Sequence, residues 1–252
     1  MSNLTNKVAI VTGAGSGIGK AIAELFAQKG AFVVLADIHQ QNIEAVAAEI
    51  TKNGGIASCF ALDVSKEGDV QQLMDYTMKT REALDILVND AGIMDSFTPA
   101  GEVSNKLWEK VIGVNLNGPF YACRSALKIF LEKGSGNIIN IASIGGLYGG
   151  RAGTAYTASK HGLIGLTKSI GYQYAQKGIR CNAIAPGGVE TNIVYGMEPH
   201  PFGFERMNAG TGNAPRSADP SEIAELALFL ASEKSSFING SVITADGGWT
   251  AY

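Results

Sequence analysis

Short unbroken apolar runs alternate along the chain with stretches in which apolar positions recur three and four residues apart. The unbroken runs predict strands over residues 7–12, 31–36, 56–62, 84–88, 137–142, 180–184 and 241–244. The helical spacing appears at Ile18, Ile22, Leu25 and Phe26, at Ile43, Val46, Ala47 and Ile50, and at Val70, Leu73, Met74 and Thr77. It continues through a long region over about 104–132, another over about 155–176, and Ile223, Leu226, Ala227 and Leu230. Residues 186–215, rich in Gly, Pro and Asn, are predicted irregular.

Strands that are apolar throughout, instead of alternating apolar and polar, are buried on both faces, as a parallel sheet between two helical layers requires. Seven such strands with helical crossovers predict a doubly wound α/β fold. No linker composition or internal repeat divides the chain, so its 252 residues are expected to form one domain. In sheets of this kind ligands bind beyond the carboxyl ends of the strands.

A hydrophobic content of 46%, a charged content of 17% and a formal net charge of −3 suit a globular enzyme and offer nothing to nucleic acid. Cys59, Cys123 and Cys181 lie far apart in apolar stretches and read as small buried hydrophobes. His39, His161 and His200 show no metal-ligand spacing, so no metal is expected. The polar N-terminus is too short for a signal peptide, and no apolar stretch reaches a membrane span. A cytoplasmic protein without membrane or nucleic-acid partners is expected.

The turn after the first strand carries Gly13, Gly15, Gly17 and Gly19, with Ser16 and Ile18 between them. Glycine lets backbone N–H groups approach a diphosphate, and a helix that opens there turns its unpaired N–H groups on the anion. The common G-x-G-x-x-G pattern does not fit, because Ile18 stands where the third glycine belongs. The spacing is T-G-x-x-x-G-x-G instead. Asp37 ends the second strand, where a carboxylate can accept from both ribose hydroxyls and would repel a 2′-phosphate. Ser16 and the neighbouring Ile38 carry no charge to hold such a phosphate, so NAD is expected over NADP. Asp63 and Val64 end the third strand, where the carboxylate can accept from an adenine amino group or simply face water. In Asn89-Asp90-Ala91-Gly92, after the fourth strand, small residues permit backbone approach to a nucleotide, and Asn89 can equally stabilise the turn.

Ser143 follows the fifth strand, and Tyr156 and Lys160 share one face of the next helix at positions i and i+4. A fixed ammonium near a phenol favours the phenolate and is expected to lower its pKa. Thr12-Gly13-x-x-x-Gly17-x-Gly19, Asp63-Val64, Asn89-Asp90-Ala91-Gly92, Asn115, Ser143, Tyr156-x-x-x-Lys160 and Pro186-Gly187 occur in the order of one family. Over nearly its whole length the chain resembles the short-chain dehydrogenases/reductases of the classical type.

The resemblance implies a Rossmann-type fold and roles for particular residues. Tyr156 would be the general acid/base, and Ser143 would hold the substrate oxygen. Lys160 would lower the Tyr156 pKa and bond the nicotinamide ribose, while Asn115 would hold a water that links Lys160 to solvent. Val189 and Thr191, in the segment that begins Pro186-Gly187, would meet the carboxamide and the diphosphate. Hydride would pass between nicotinamide and a secondary alcohol or ketone. A 3-oxoacyl-carrier reductase, with Lys128, Lys133 and Lys168 as a basic rim, is the second reading. A dinucleotide sensor without catalysis is the third.

One position departs from the family, which usually has asparagine where Asp90 stands; an ionised aspartate can only accept hydrogen bonds. The substrate wall is expected from Met94, Asp95 and Phe97, from residues 144–150, and from a lid over 192–215. The resemblance also implies a homotetramer. Gly162, Gly165 and Gly171 fit close helix contact, either across an interface or within one chain.

Overall fold

The computed structural model describes residues 3–251. Its strands are β1 (Val8–Thr12), β2 (Phe32–Asp37), β3 (Ile56–Ala61), β4 (Ile86–Asn89), β5 (Gly136–Ile141), β6 (Ile179–Pro186) and β7 (Val242–Ala245). They form one sheet in the order β3-β2-β1-β4-β5-β6-β7, with every pairing parallel. The helices are α1 (Gly17–Gln28), α2 (Gln40–Lys52), α3 (Glu67–Arg81), α4 (Asn105–Ile112), α5 (Gly118–Lys133), α6 (Thr154–Tyr174), α7 (Pro201–Asn208) and α8 (Pro220–Ala231). The fold is the predicted doubly wound α/β sheet. Among the described residues, no helix is long and apolar enough to cross a membrane.

Side chains alternate across a strand, and the two faces take separate sets of the same apolar runs. Ala9, Val11, Val33 and Leu35 pack on one face against Ile22 and Phe26 of α1, Ile43 and Val46 of α2, and Ile223 of α8. Ile10, Val34, Leu87 and Ile138 pack on the other against Leu73 and Met74 of α3, Phe130 of α5 and Ile170 of α6. Burial of each such side chain is worth about 1.5–3 kcal/mol. Continuous burial fails only toward the sheet edges: Ile56 of β3 is exposed, since its strand has a neighbour on one side only.

Two predicted stretches differ in detail. The long helix over 104–132 is α4 and α5 joined by a π-helical turn, Gly113–Asn117, which carries Asn115. Such a turn inserts an extra residue into the helical ladder and is found most often at functional positions. The irregular segment 186–215 contains α7, because Pro201 is preset for a first helical turn and the His200 ring accepts from Gly203 N–H at 3.3 Å. A local excess of Gly and Pro obscured that start signal.

Two of the three α6 glycines answer to packing inside the chain. A Cβ at Gly162 would press on Leu116, and one at Gly171 would meet the backbone of Gly240; Gly165 faces open space. Gly136 shows the same constraint at the start of β5, where a Cβ would overlap the fully buried Phe130 ring. Gly136→Ala is therefore expected to cost about 1–3 kcal/mol through overpacking. In a thermal melt this appears as a fall in Tm of roughly 3–10 °C, with the far-UV spectrum retained.

Candidate active site

The strand order reverses between β1 and β4, and a crevice opens at that point beyond the strands' carboxyl ends. The crevice is a cleft of about 650 Å³. Gly13, Ser16, Gly17, Ile18, Asp37, Ile38, Asp63, Val64, Ala91, Gly92 and Thr191, all expected from the sequence, line it. Asn42, Glu109, Lys110 and Met197 line it too, without a motif to announce them. They reach it from α2, α4 and the segment before α7, so only the folded chain brings them there.

The glycine turn is built to leave amides unpaired. Ser16 stands at the N-cap of α1 without a side-chain cap, and no acidic residue occupies the first turn. Gly13 and Gly17 have φ of +70° and +54°, which L side chains rarely adopt. Asp37 ties this turn to β2, accepting from Gly15 N–H at 3.0 Å through one oxygen and from His39 N–H at 2.9 Å through the other. Asp63 accepts from Ser65 N–H and Oγ at 3.0 and 2.6 Å through Oδ1, while Oδ2 faces the exposed Lys66 ammonium at 3.8 Å and keeps acceptor capacity for a ligand. A cradle of unpaired helix-start amides beside a carboxylate fits a dinucleotide's diphosphate and ribose.

Several expected contacts lie elsewhere. Asn89 turns into the sheet, donating to Asn140 Oδ1 at 2.8 Å and to Cys123 Sγ at 3.4 Å. It braces β4 against β5 instead of touching the cleft or closing its own turn. Gly15 and Gly19 support the turn from behind. A Cβ on Gly19 would overlap the Gly13 carbonyl. Pro186, Gly187 and Val189 are not among the cleft-lining residues: Gly187 N–H donates to Ala245 O at 3.0 Å and Val189 bridges to Ala218.

Ser143, Tyr156 and Lys160 gather at the ends of β5 and α6. Ser143 Oγ accepts from Gly145 N–H at 3.0 Å, and its hydroxyl is near enough to the Tyr156 phenol to favour the phenolate. Gly145 lies against both groups: a Cβ there would make ordinary contact with Ser143 Oγ at 3.4 Å and the Tyr156 ring at 3.5 Å. Lys160 is 3% exposed; its ammonium donates to Ile141 O at 2.8 Å and lies 5.6 Å from the Tyr156 ring centroid. Asn115 Oδ1 accepts from Ile93 N–H at 2.8 Å, and its amide donates to Ile93 O at 2.9 Å and Ser159 Oγ at 3.2 Å. That side chain is committed to protein partners, and its π-turn lies next to α6 through Ser159.

The expected lowering of the Tyr156 pKa is not what the protein groups alone produce. Burial raises it to about 12; the Ser143 hydroxyl opposes this, while the Asp90 and Asp95 charges add to it. The same burial takes Lys160 down to about 8, against the pull of Asp90. An ammonium held on a backbone carbonyl beside the ring leaves burial as the larger effect. Asp90 is itself raised to about 7 by burial, opposed by the Lys160 charge and a Gly19 N–H hydrogen bond and assisted by Asp37. It lines the cleft, and its carboxylate packs against Gly13 and Gly19. The hydrogen-bond donor that an aspartate at this position needs is therefore supplied by the dinucleotide turn.

A doubly wound sheet with an uncapped, glycine-rich helix start at its switch point is the architecture of a dinucleotide-binding protein. Comparison with known proteins narrows the class. A family model described as enoyl-(acyl carrier protein) reductase matches residues 13–250. The 3beta-hydroxysteroid dehydrogenase 2 of Eggerthella lenta is 44% identical over 251 residues, covering 99% of this chain and 96% of that protein. The cyclohexanol dehydrogenase of Acinetobacter sp. strain SE19 is 38% identical over 258 residues, covering 100% and 98%. A solved structure provisionally described as an NAD(P)-dependent gluconate 5-dehydrogenase from Beutenbergia cavernae, with NADP at low occupancy, is 38% identical with a TM-score of 0.89. It is matched over 99% of both chains. The chain belongs to the short-chain dehydrogenase/reductase family, oxidoreductases of alcohols and ketones that bind a nicotinamide dinucleotide.

Asp90 gives this site a pH dependence. Its carboxyl is neutral below about pH 7 and charged above it. A charged Asp90 beside the turn repels a diphosphate, so NADH affinity is expected to weaken from about pH 6 to about pH 8.5. Asp90→Asn should bind NADH more tightly than the unmodified protein at the upper pH. It should lose the part of the fall that is centred near pH 7, leaving what the Lys160 ammonium contributes at higher pH. Fluorescence titration at both pH values checks this, and a parallel fall in the two proteins would contradict it.

Proposed function

We propose that this chain is an NAD-dependent dehydrogenase of a secondary alcohol, with Tyr156 as the proton-transfer residue. The observation that carries the reading is the convergence of Ser143, Tyr156 and Lys160 on Gly145 and the end of β5, beside a dinucleotide-sized cleft. Ser143 holds the substrate oxygen, and Tyr156 takes the proton from that oxygen during oxidation or returns it during reduction. Lys160 keeps a positive charge next to the phenol and reaches the ribose. Asn115 fixes the floor under Lys160 through Ile93 and Ser159. A bound nicotinamide supplies the hydride chemistry and, when oxidised, a positive charge whose effect on the phenol is opposite to that of burial.

Gly13, Ser16, Gly17 and Ile18 cradle the diphosphate, backed by Gly15 and Gly19, and Thr191 closes the nicotinamide end from the segment that Pro186, Gly187 and Val189 position. Asp37 accepts from the adenosine ribose, and Ile38 beside it offers no charge to a 2′-phosphate. Asp63 and Val64 hold the adenine, while Ala91 and Gly92 let the backbone approach the ribose. The related structure that holds NADP makes direct competition between the two cofactors the informative experiment.

The names of two of these relatives, the 3beta-hydroxysteroid and cyclohexanol dehydrogenases, support a hydroxyl on an alicyclic ring as the substrate. Residues 192–215 form the lid over it: Tyr195, Phe202 and Phe204 there are exposed, and Phe204 also packs on Phe97 at 5.2 Å between ring centroids. Docking of an acyl carrier finds less support. Lys133 is ion-paired with Asp85, which precedes β4 at the amino end of the strands, opposite the cleft, and Lys128 and Lys168 lie toward the far ends of their helices.

Tyr156→Phe is expected to cut oxidation of cyclohexanol or of a 3β-hydroxysteroid by at least about 100-fold while NADH still binds. Retained turnover would refute the role. Wild-type protein should bind NADH more tightly than NADPH in a fluorescence titration. Asp37→Ala should lose about 10-fold or more in NADH affinity, and with it the preference, because a charged ribose acceptor is gone.

A further inference from the structure

Asp95, read from the sequence as part of the substrate wall, is fully buried. Its carboxylate instead gathers three backbone amides: Phe97 N–H at 3.2 Å, Gly153 N–H at 3.1 Å and Tyr156 N–H at 2.9 Å. Gly153 is the N-cap of α6 and has no side chain to cap with. A Cβ there would overlap the Asp95 carboxyl, so an acid 58 residues away in sequence occupies the capping position. The helix dipole and three N–H donors compensate the buried charge.

The same acid holds a strained turn. Ser96 and Phe97 have φ of 55° and 58°, a left-handed conformation rare for a bulky residue and found mostly where surroundings enforce it. Thr98 N–H and Oγ bond the Asp95 carbonyl at 3.1 and 2.7 Å, and Thr98 O accepts from Thr154 N–H at 3.0 Å. On its other side the turn carries α7: Ser96 O accepts from His200 N–H at 2.8 Å, the Phe97 ring packs on Phe204, and Gly203 lies against the Phe97 carbonyl.

We propose that Asp95 is a positioning residue, which clamps the start of α6 and so the Tyr156 backbone to the turn that anchors α7. The lid helix and the proton-transfer residue then share one support, and substrate-driven settling of α7 sets where the phenol stands. The proposal rests on the reading of Tyr156 as the proton-transfer residue. The charged and titratable groups facing Tyr156 are Asp90 after β4, Asp95, Lys160 on its own helix, and the Ser143 hydroxyl donor after β5.

Asp95→Asn keeps the size but turns one acceptor into a donor that faces amides. With cyclohexanol and NAD, kcat is expected to fall about 10-fold or more while the KM for NAD is kept. Loss of a negative charge that disfavours the phenolate should also move the alkaline rise of kcat to lower pH, which a merely structural defect would not do. Gly153→Ala keeps the charge but displaces the carboxylate, so kcat should fall with the pH midpoint unmoved. It tests the clamp even if Asp95→Asn fails to fold by circular dichroism, and wild-type kcat in Gly153→Ala would overturn the proposal. Tyr156→Phe measured alongside separates the two readings. Activity there overturns the role of Tyr156, whereas an inactive Tyr156→Phe with a wild-type kcat and pH midpoint in Asp95→Asn overturns only the clamp.

Discussion

A parallel sheet covered by helices on both faces leaves one place where polar chemistry can collect, the row of loops at the strands' carboxyl ends. Those loops emerge with amides that the sheet no longer pairs, in a setting already partly closed to water. In this protein carboxylates meet them. Asp37 at the end of β2 takes Gly15 and His39, Asp90 after β4 meets Gly19, and Asp95 takes Phe97, Gly153 and Tyr156. The glycine turn and the first turn of α6 are thus held from the same edge of the sheet by the same kind of bond.

That solution has an electrostatic consequence. The groups intended for chemistry are close to acids and far from water, so burial drives each toward its neutral form. The Tyr156 phenol and the Asp90 carboxyl are pushed up, and the Lys160 ammonium is pushed down. Lys160 and Asp90 offset part of this for one another. Their proximity explains how an aspartate is tolerated where the family usually has asparagine: an ammonium and a glycine amide supply what the amide side chain would have supplied.

The architecture was legible from residue patterns because burial on both faces forces unbroken apolar strands, and seven such runs were present. The glycine spacing, Asp37 and the Tyr156–Lys160 pair were legible for a similar reason, since each depends on neighbours within one turn of backbone. Asn89 was not, because its partner Asn140 is on an adjacent strand and its spacing carries no trace of it. Helix α7 was hidden too. Its start depends on the His200 ring and its stability on Phe97, about a hundred residues earlier in the chain.

By itself, then, the sequence determined the layer order, the location of the cleft and the local geometry of the dinucleotide turn, all consequences of periodicity and of short-range backbone stereochemistry. Tertiary structure alone decided which polar residues meet. It turned Asn89 inward, brought Lys110 and Asn42 into the cleft, and set the pKa directions through burial. It also made Asp95 the cap of a helix whose own N-cap is glycine. Hydrogen bonds and desolvation act through space at a few ångströms, and residues 58 positions apart come that close only once the core has closed.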